Sequence, residues 1–458
     1  MFIDVAYING LLDKAKNASR NDLFSVLEKA HRREKLEHLE IAMLLQVEDV
    51  ELNQEIFSIS GEIKKSIYGN RIVIFAPLYV SNYCVNNCTY CGYKRNNQFT
   101  RKKLTMAEIS DEVKVLLKLG HKRLALEAGE DPVNCDIEYI LECIKTIYDT
   151  DNTNSGIRRL NVNIAATTVE NYRKLKAANI GTYILFQETY EPTIFNDMHQ
   201  GSLKNDYEYH LTAFDRAMEA GIDDVGAGVL FGLADPKFEV LALMLHNEYL
   251  EKKFGVGFHT ISVPRLKKAE GMSLDMFPHL VNDELFKKLV AIIRIAVPFT
   301  GIILSTRESE EMRRELINYG VSQISAGSRT GVGGYKEYDQ GDETNQFEIA
   351  DQRSPLEVIK SLLQHGHLPS YCTACYRNGR TGDRFMSLAK TGEIQNVCHP
   401  NAIMTFMEFL LDYGDDELKR IGMNYIAGEM EKIERNELKT LVRNNLEKLK
   451  QGERDLYV

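Results

Sequence analysis

The chain has 458 residues, 44% hydrophobic and 27% charged, the proportions of an ordinary globular protein rather than of a disordered or membrane-buried one. No run approaches the roughly 20 apolar residues needed to cross a bilayer, and a formal net charge of −10 disfavours general binding to nucleic acid or anionic membranes, which reward basic surfaces. Eight cysteines behind an N-terminus without a signal-peptide pattern lead us to expect a cytoplasmic protein whose reduced thiols serve metals or chemistry.

Residues 1–70 read as a helical extension. Asn21 or Asp22 is placed to cap a run holding Leu23, Val26, Leu27 and Ala30, and a second run extends from Glu40 to Leu45. From Arg71 the pattern changes to short β-branched or apolar runs, each followed by a longer amphipathic stretch. The predicted strands are 71–81, 123–129, 159–165, 182–188, 224–233, 257–265, 301–308 and 321–328, and the helix after the last covers 354–367. Eight such units in strict alternation predict an α/β fold, a closed parallel (β/α)8 barrel of the TIM type over 71–367 with its helices outside. Segment 331–354 is long and polar for a βα loop, and such loops are usually functional or mobile. Residues 368–458 carry their own cysteine cluster and a charged helical tail, and are expected to form a mainly helical C-terminal domain.

Cys84, Cys88 and Cys91 form a C-x3-C-x2-C loop directly after the first strand, at the barrel mouth where such folds keep their chemistry. Three thiolates can hold three irons of a cubane and leave the fourth open. A structural zinc is the alternative, but zinc asks for a fourth ligand that this loop does not offer. The segment SNYCVNNCTYCGYKR resembles the radical S-adenosylmethionine (SAM) superfamily motif, which implies a 4Fe-4S cluster at these cysteines and reductive cleavage of SAM to a 5'-deoxyadenosyl radical. In AGEDP, Ala128, Gly129 and Glu130 resemble the superfamily segment that receives the SAM amino group. GVLFGLAD resembles the segment beside the adenine, with Gly228 and Leu230 as contacts and with Leu230 and Asp235 as conservative departures. The same resemblance places Tyr90, Asn163 and Glu188 at the SAM site. Each of these strand-end residues, taken singly, also has a purely structural explanation.

The seventh strand ends in Arg307 and the eighth carries Ser325 and Ser328. A guanidinium grips a carboxylate bidentately and a hydroxyl accepts from an α-amino group, so this pairing suits an amino acid. The alternative is that Arg307 merely pairs with Glu308. The segments QETY, GFHTISVPR, STRE and SAGSRTGVGGY resemble the branch of the superfamily that cleaves the Cα–Cβ bond of aromatic amino acids. That branch includes the tyrosine lyases of thiamine synthesis and of FeFe-hydrogenase maturation. The resemblance implies that L-tyrosine is split into a 4-hydroxybenzyl radical, hence p-cresol, and dehydroglycine. It also implies a reductant such as flavodoxin or ferredoxin.

Cys372, Cys375 and Cys398 form a C-x2-C-x22-C set. Spacing alone leaves open a zinc site completed by His399. The arrangement resembles the hydrogenase-maturation lyases, while the thiamine lyase lacks it. It implies an auxiliary 4Fe-4S cluster with a labile fifth iron, on which CO and CN form for H-cluster assembly with other hydrogenase maturation proteins. By the same resemblance a barrel histidine helps to hold that iron. His259 lies about five residues before the end of the sixth strand, which at about 3.3 Å per residue is roughly 16 Å below the mouth. A core histidine bonded to a carbonyl is the alternative. Cys135 and Cys143 are expected to share a face of the second barrel helix as inert thiols. The competing readings of the whole are a thiamine-type lyase that stops at dehydroglycine and a non-catalytic iron-sulfur scaffold.

Overall fold

The structure is a computed structural model that describes residues 2–151, 156–336 and 345–458. The middle of the long loop after the eighth strand, 337–344, lies outside the described residues.

Four helices precede the barrel: α1 (Val5–Ala15), α2 (Arg20–His31), α3 (His38–Gln46) and α4 (Val50–Tyr68). The cap of α2 is Ser19, not Asn21 or Asp22. Its side chain accepts from the backbone of Asp22, whose carboxylate returns the bond in a capping box. Asp22 therefore stands three residues inside the position expected for it.

The eight strands are β1 (Arg71–Ser81), β2 (Arg123–Ala128), β3 (Arg159–Asn163), β4 (Tyr183–Glu188), β5 (Val225–Val229), β6 (Thr260–Ser262), β7 (Gly301–Leu304) and β8 (Gln323–Ser325). All pair in parallel, and β1 bonds both β8 and β2, which closes the ring. The helices between them are α5 (Met106–Lys118), α6 (Ile137–Asp149), α7 (Val169–Ala177), α8 (Pro192–Met198), α9 (Tyr207–Leu211), α10 (Ala213–Glu219), α11 (Pro236–Phe254), α12 (Asp283–Ala296), α13 (Glu310–Tyr319) and α14 (Pro355–Gln364). Cys143 is buried in α6, but Cys135 lies before that helix, which Asp136 caps, so the two do not share a helical face. Burial pushes both thiols up to about 12, in keeping with inert groups.

After α14 comes a strand the periodicity does not reveal, β9 (Leu368–Ser370). The first residues of β1 extend below the start of β2, and β9 pairs there in parallel, with Arg71 opposite Leu368. It delivers Cys372 to the bottom of the barrel. The chain ends in α15 (Ala374–Arg377), α16 (Gly382–Thr391), α17 (Gln395–Tyr413), α18 (Asp416–Glu431) and α19 (Asn436–Lys450). Among the described residues no helix is long and apolar enough to cross a membrane.

One buried histidine gives the fold a pH signature. His246 on α11 is bonded to the Tyr190 hydroxyl at 2.9 Å, and burial pushes its pKa down to about 3. A group depressed from about 6.5 stays neutral in the fold while the unfolded chain takes up a proton. Its contribution is complete above pH 6.5 and is lost as the pH falls toward 3, at about 1.4 kcal/mol per pH unit. Buried Glu239, pushed up to about 8, works in the opposite direction between pH 8 and 4.5, so the informative quantity is a difference between variants. His246→Gln should remove close to one proton from the pH dependence of unfolding between pH 6.5 and 5, measured by denaturant titration against the parent.

Candidate active site

The C-terminal ends of the strands open on a cavity of about 230 Å³. The trio Cys84, Cys88 and Cys91 lines it together with Tyr90, Ala128, Gly129, Glu130, Asn163, Glu188 and Leu230. Gly228 is not on the wall. It lies beneath the Phe186 ring, which a Cβ at 228 would strike, and Phe186 lines the cavity in its place.

The cysteine loop is pinned to the end of β2. A side chain at Gly129 would collide with the Tyr83 carbonyl, so glycine permits the approach. Val85 N–H donates to the Glu130 carbonyl at 2.8 Å, and the Asn86 amide donates to the Glu130 carboxylate at 2.5 Å. Burial raises all three thiol pKa values, that of Cys91 to about 11. Bound irons would stabilise the thiolates that burial alone disfavours. Among the described residues no three His, Cys, Asp or Glu side chains converge as a single ion requires. The trio lines one cavity, and three thiolates from one short loop fit a 4Fe-4S cluster with one open iron better than a zinc ion, which asks for four ligands.

Glu188 ends β4 at φ +67°, where the register against β5 shifts between Phe186 and Glu188. Left-handed backbone at a non-glycine residue costs on the order of 1 kcal/mol or more and persists where the surroundings impose it. Here the bulge aims the carboxylate at Lys204, with Oε1 3.0 Å from Nζ. Lys204 also reaches the Tyr90 hydroxyl at 3.4 Å, which donates to His199 Nε2 at 2.7 Å while His199 Nδ1 donates to the Phe195 carbonyl. Lys204 belongs to no motif and was not foreseen. A lone lysine in the loop after α8 carries no sequence signal.

The far wall holds Arg307, Ser325 and Ser328. Glu308 does not pair with Arg307. Arg265 grips it through two bonds of 2.9 and 2.6 Å, and Lys267 adds a third contact at 3.4 Å. Arg307 instead lies over the Phe347 ring, 3.3 Å from its centroid, and makes no ion pair among the described residues. Burial lowers its pKa without releasing its charge. Ser325 Oγ accepts from Thr306 N–H at 3.2 Å, whereas Ser328 Oγ is buried without a partner among the described residues. The long loop returns to this wall: Gln346 accepts from the Tyr79 hydroxyl at 2.9 Å, and its backbone carbonyl accepts from Gly92 N–H. Asn163 donates to Glu127 at 2.6 Å, so its amide is already engaged.

The second trio gathers at the opposite end of the barrel. Cys372 follows β9, Cys375 lies in α15 and Cys398 in α17. Arg123, the first residue of β2, donates to the Cys372 carbonyl at 2.6 Å. The Cys398 thiol is pulled below its ordinary value by its bond with Cys375 and by Arg71, Arg380 and Arg123, while burial raises Cys372 to about 11. Three mutually interacting thiols under a cationic collar fit an anionic thiolate-bound cluster. His399 turns to α18, with Nε2 3.2 Å from the Glu429 carbonyl. His259 directly precedes β6 and faces this end, packed against Phe385 at 4.8 Å between ring centroids. Its Nε2 is 2.8 Å from the hydroxyl of Tyr376, the neighbour of Cys375, and its Nδ1 is 3.4 Å from Asp224.

A parallel barrel with a three-thiol loop at its catalytic mouth defines the radical SAM class, and residues 78–247 match the Radical SAM superfamily while 262–368 match the Biotin and Thiamin Synthesis associated domain. Such proteins use SAM and a 4Fe-4S cluster. The chain is 59% identical to HydG, a maturase of the FeFe-hydrogenase, with a TM-score of 0.97 over 100% of both chains, and 39% identical to HydG from Carboxydothermus hydrogenoformans, with a TM-score of 0.84 over 96% of this chain and 97% of that one. It is also 33% identical to the 2-iminoacetate synthase of Salmonella typhimurium over 66% of this chain and 78% of that protein. The chain belongs to the HydG family.

Proposed function

We propose that the chain is a radical SAM tyrosine lyase that splits L-tyrosine into p-cresol and dehydroglycine, and that converts dehydroglycine to CO and CN for hydrogenase H-cluster assembly. The observation that carries the reading is Arg307, which makes no ion pair among the described residues, in the cavity that the first cysteine trio lines. It supplies the bidentate grip for an amino acid carboxylate, Ser328 adds an unpartnered hydroxyl, and the apolar wall of Phe75, Tyr79 and Phe347 receives an aromatic ring. Cys84, Cys88 and Cys91 would hold the cluster that, with SAM, supplies the 5'-deoxyadenosyl radical. Tyr90, Glu188 and Lys204 form the polar shelf beside it.

Cys372, Cys375 and Cys398 would hold the auxiliary cluster with its labile fifth iron, and His259 is the proposed additional ligand, which requires it to leave Tyr376. In this reading residues 1–70, 71–367 and 368–458 are the helical extension, the barrel and the auxiliary domain, a flavodoxin or ferredoxin supplies electrons, and other maturases receive the product. Dehydroglycine is 2-iminoacetate, the product in the name of the Salmonella relative, whose alignment spans 66% of this chain. The second trio favours a reaction that continues past that product.

Reduced, anaerobically reconstituted protein given SAM and L-tyrosine should yield p-cresol and 5'-deoxyadenosine, and CO trapped by deoxyhaemoglobin. Absence of p-cresol sinks the lyase reading, and p-cresol without CO reduces it to a thiamine-type lyase. Arg307→Gln should weaken L-tyrosine binding by about 10²-fold, since truncating one partner of a buried charge pair costs about 2–5 kcal/mol. SAM binding should persist, and equilibrium dialysis with each ligand checks both statements.

A further inference from the structure

Glu127 is an acidic side chain in the cavity that the cysteine and arginine motifs do not account for. It sits on β2 with Tyr79 opposite it on β1 and Asn163 opposite it on β3, and its side chain enters the same cavity as Arg307. One oxygen, Oε2, accepts from Asn163. Among the described residues no lysine or arginine comes within ion-pair distance, although Arg307 is near enough to act on it electrostatically. Arg307 is in the mirror situation, lying on an aromatic ring with its natural counterion, Glu308, taken by Arg265. A carboxyl and a guanidinium thus face one cavity without bonding each other. Burying the guanidinium without a counterion is costly and holding the carboxyl charged would be too, so a ligand that supplies both opposite charges stabilises both groups.

We propose that Glu127 receives the α-amino group of the substrate and forms with Arg307 a two-ended clamp for a zwitterionic amino acid. The inference rests on the amino acid lyase reading above and names a specificity-determining residue for it. The serines alone are insufficient. Ser325 Oγ already accepts a backbone bond, and Ser328 offers one neutral oxygen to an ammonium that carries three donors. Burial pushes Glu127 up to about 8, so near neutral pH the ligand-free carboxyl is mostly protonated. Binding a zwitterion then releases that proton: the acid gives H⁺ to solvent, and the carboxylate takes the ammonium as its counterion. The alternative is that Glu127 and Asn163 are a structural pair of the barrel interior.

The test compares L-tyrosine with 3-(4-hydroxyphenyl)propionate, which keeps the carboxylate and phenol but lacks the amine, on full-length reconstituted protein with SAM. The parent should bind tyrosine more tightly, and calorimetry in buffers of different ionisation enthalpy should show proton release for tyrosine only. Glu127→Gln should lower tyrosine affinity at least 10-fold, leave the amine-free analogue unchanged and abolish the proton release, while Glu127→Asp should recover part of the preference. Equal weakening of both ligands, loss of both in both variants, or an undiminished tyrosine preference in Glu127→Gln overturns the proposal. A parent that binds neither compound instead overturns the lyase reading.

Discussion

Cys88→Ala is expected to reduce 5'-deoxyadenosine and p-cresol to background while leaving the fold intact. In the proposed reading each thiolate of the mouth trio would serve one iron, and no neighbour is placed to replace it: Tyr90 is bonded to His199, and Glu188 to Lys204. The side chain belongs to a small loop cluster with Tyr90, Leu230, Leu233, Leu266 and Phe277, apart from the main core. Its loss therefore removes little of the packing that sustains the barrel. Iron content should fall by one cluster after reconstitution, and the remaining paramagnetic signal should no longer respond to SAM. Far-UV circular dichroism checks the fold. Retention of SAM cleavage by this variant would refute the assignment of the trio.

The second large effect should be selective. With Cys372→Ala and Cys375→Ala combined, CO and CN formation should disappear while p-cresol continues, because the second trio lies at the opposite end of the barrel from the mouth. Cys372 follows the short β9 and Cys375 lies in the one-turn α15, so neither substitution interrupts a long element. Dehydroglycine that is not consumed should hydrolyse to glyoxylate, and its recovery in proportion to p-cresol makes the measurement quantitative. His259→Ala should give a milder version of this phenotype, since a cluster held by three thiolates survives the loss of an additional ligand. If p-cresol disappears together with CO, the two cysteine sets are not functionally separate.

Much of this architecture was legible because the barrel strands are local signals. Short β-branched runs between amphipathic helices declare themselves by periodicity, and predicted strand 71–81 coincides with β1. The later strands are shorter than expected. In 257–265 the continuous ladder is Thr260–Ser262, while His259 and Val263 keep single bonds to the neighbouring strands and Arg265 only an isolated bridge to Phe231. Residues 1–70 were expected to be helical without separate bounds for α1 and α4, whereas β9 was not anticipated, a three-residue strand containing a proline whose pairing exists only because β1 extends below the start of β2. The expected cap of α2 was displaced because the Ser19–Asp22 capping box satisfies two orphan N–H groups where Asn21 would satisfy one.

By itself the sequence determined the barrel, both cysteine trios and their spacing, and the strand ends that carry Arg307, Ser325 and Ser328, because each is written in contiguous residues or a fixed period. Tertiary structure alone decided that Glu308 belongs to Arg265 and leaves Arg307 without an ion pair among the described residues, that His399 bonds the Glu429 carbonyl, and that Lys204, Glu127, Gln346 and Phe347 join the site. Those are choices among partners far apart in the chain. Barrel closure sets them by bringing strand ends and returning loops within bonding distance, and a linear pattern contains no record of which charge reaches which.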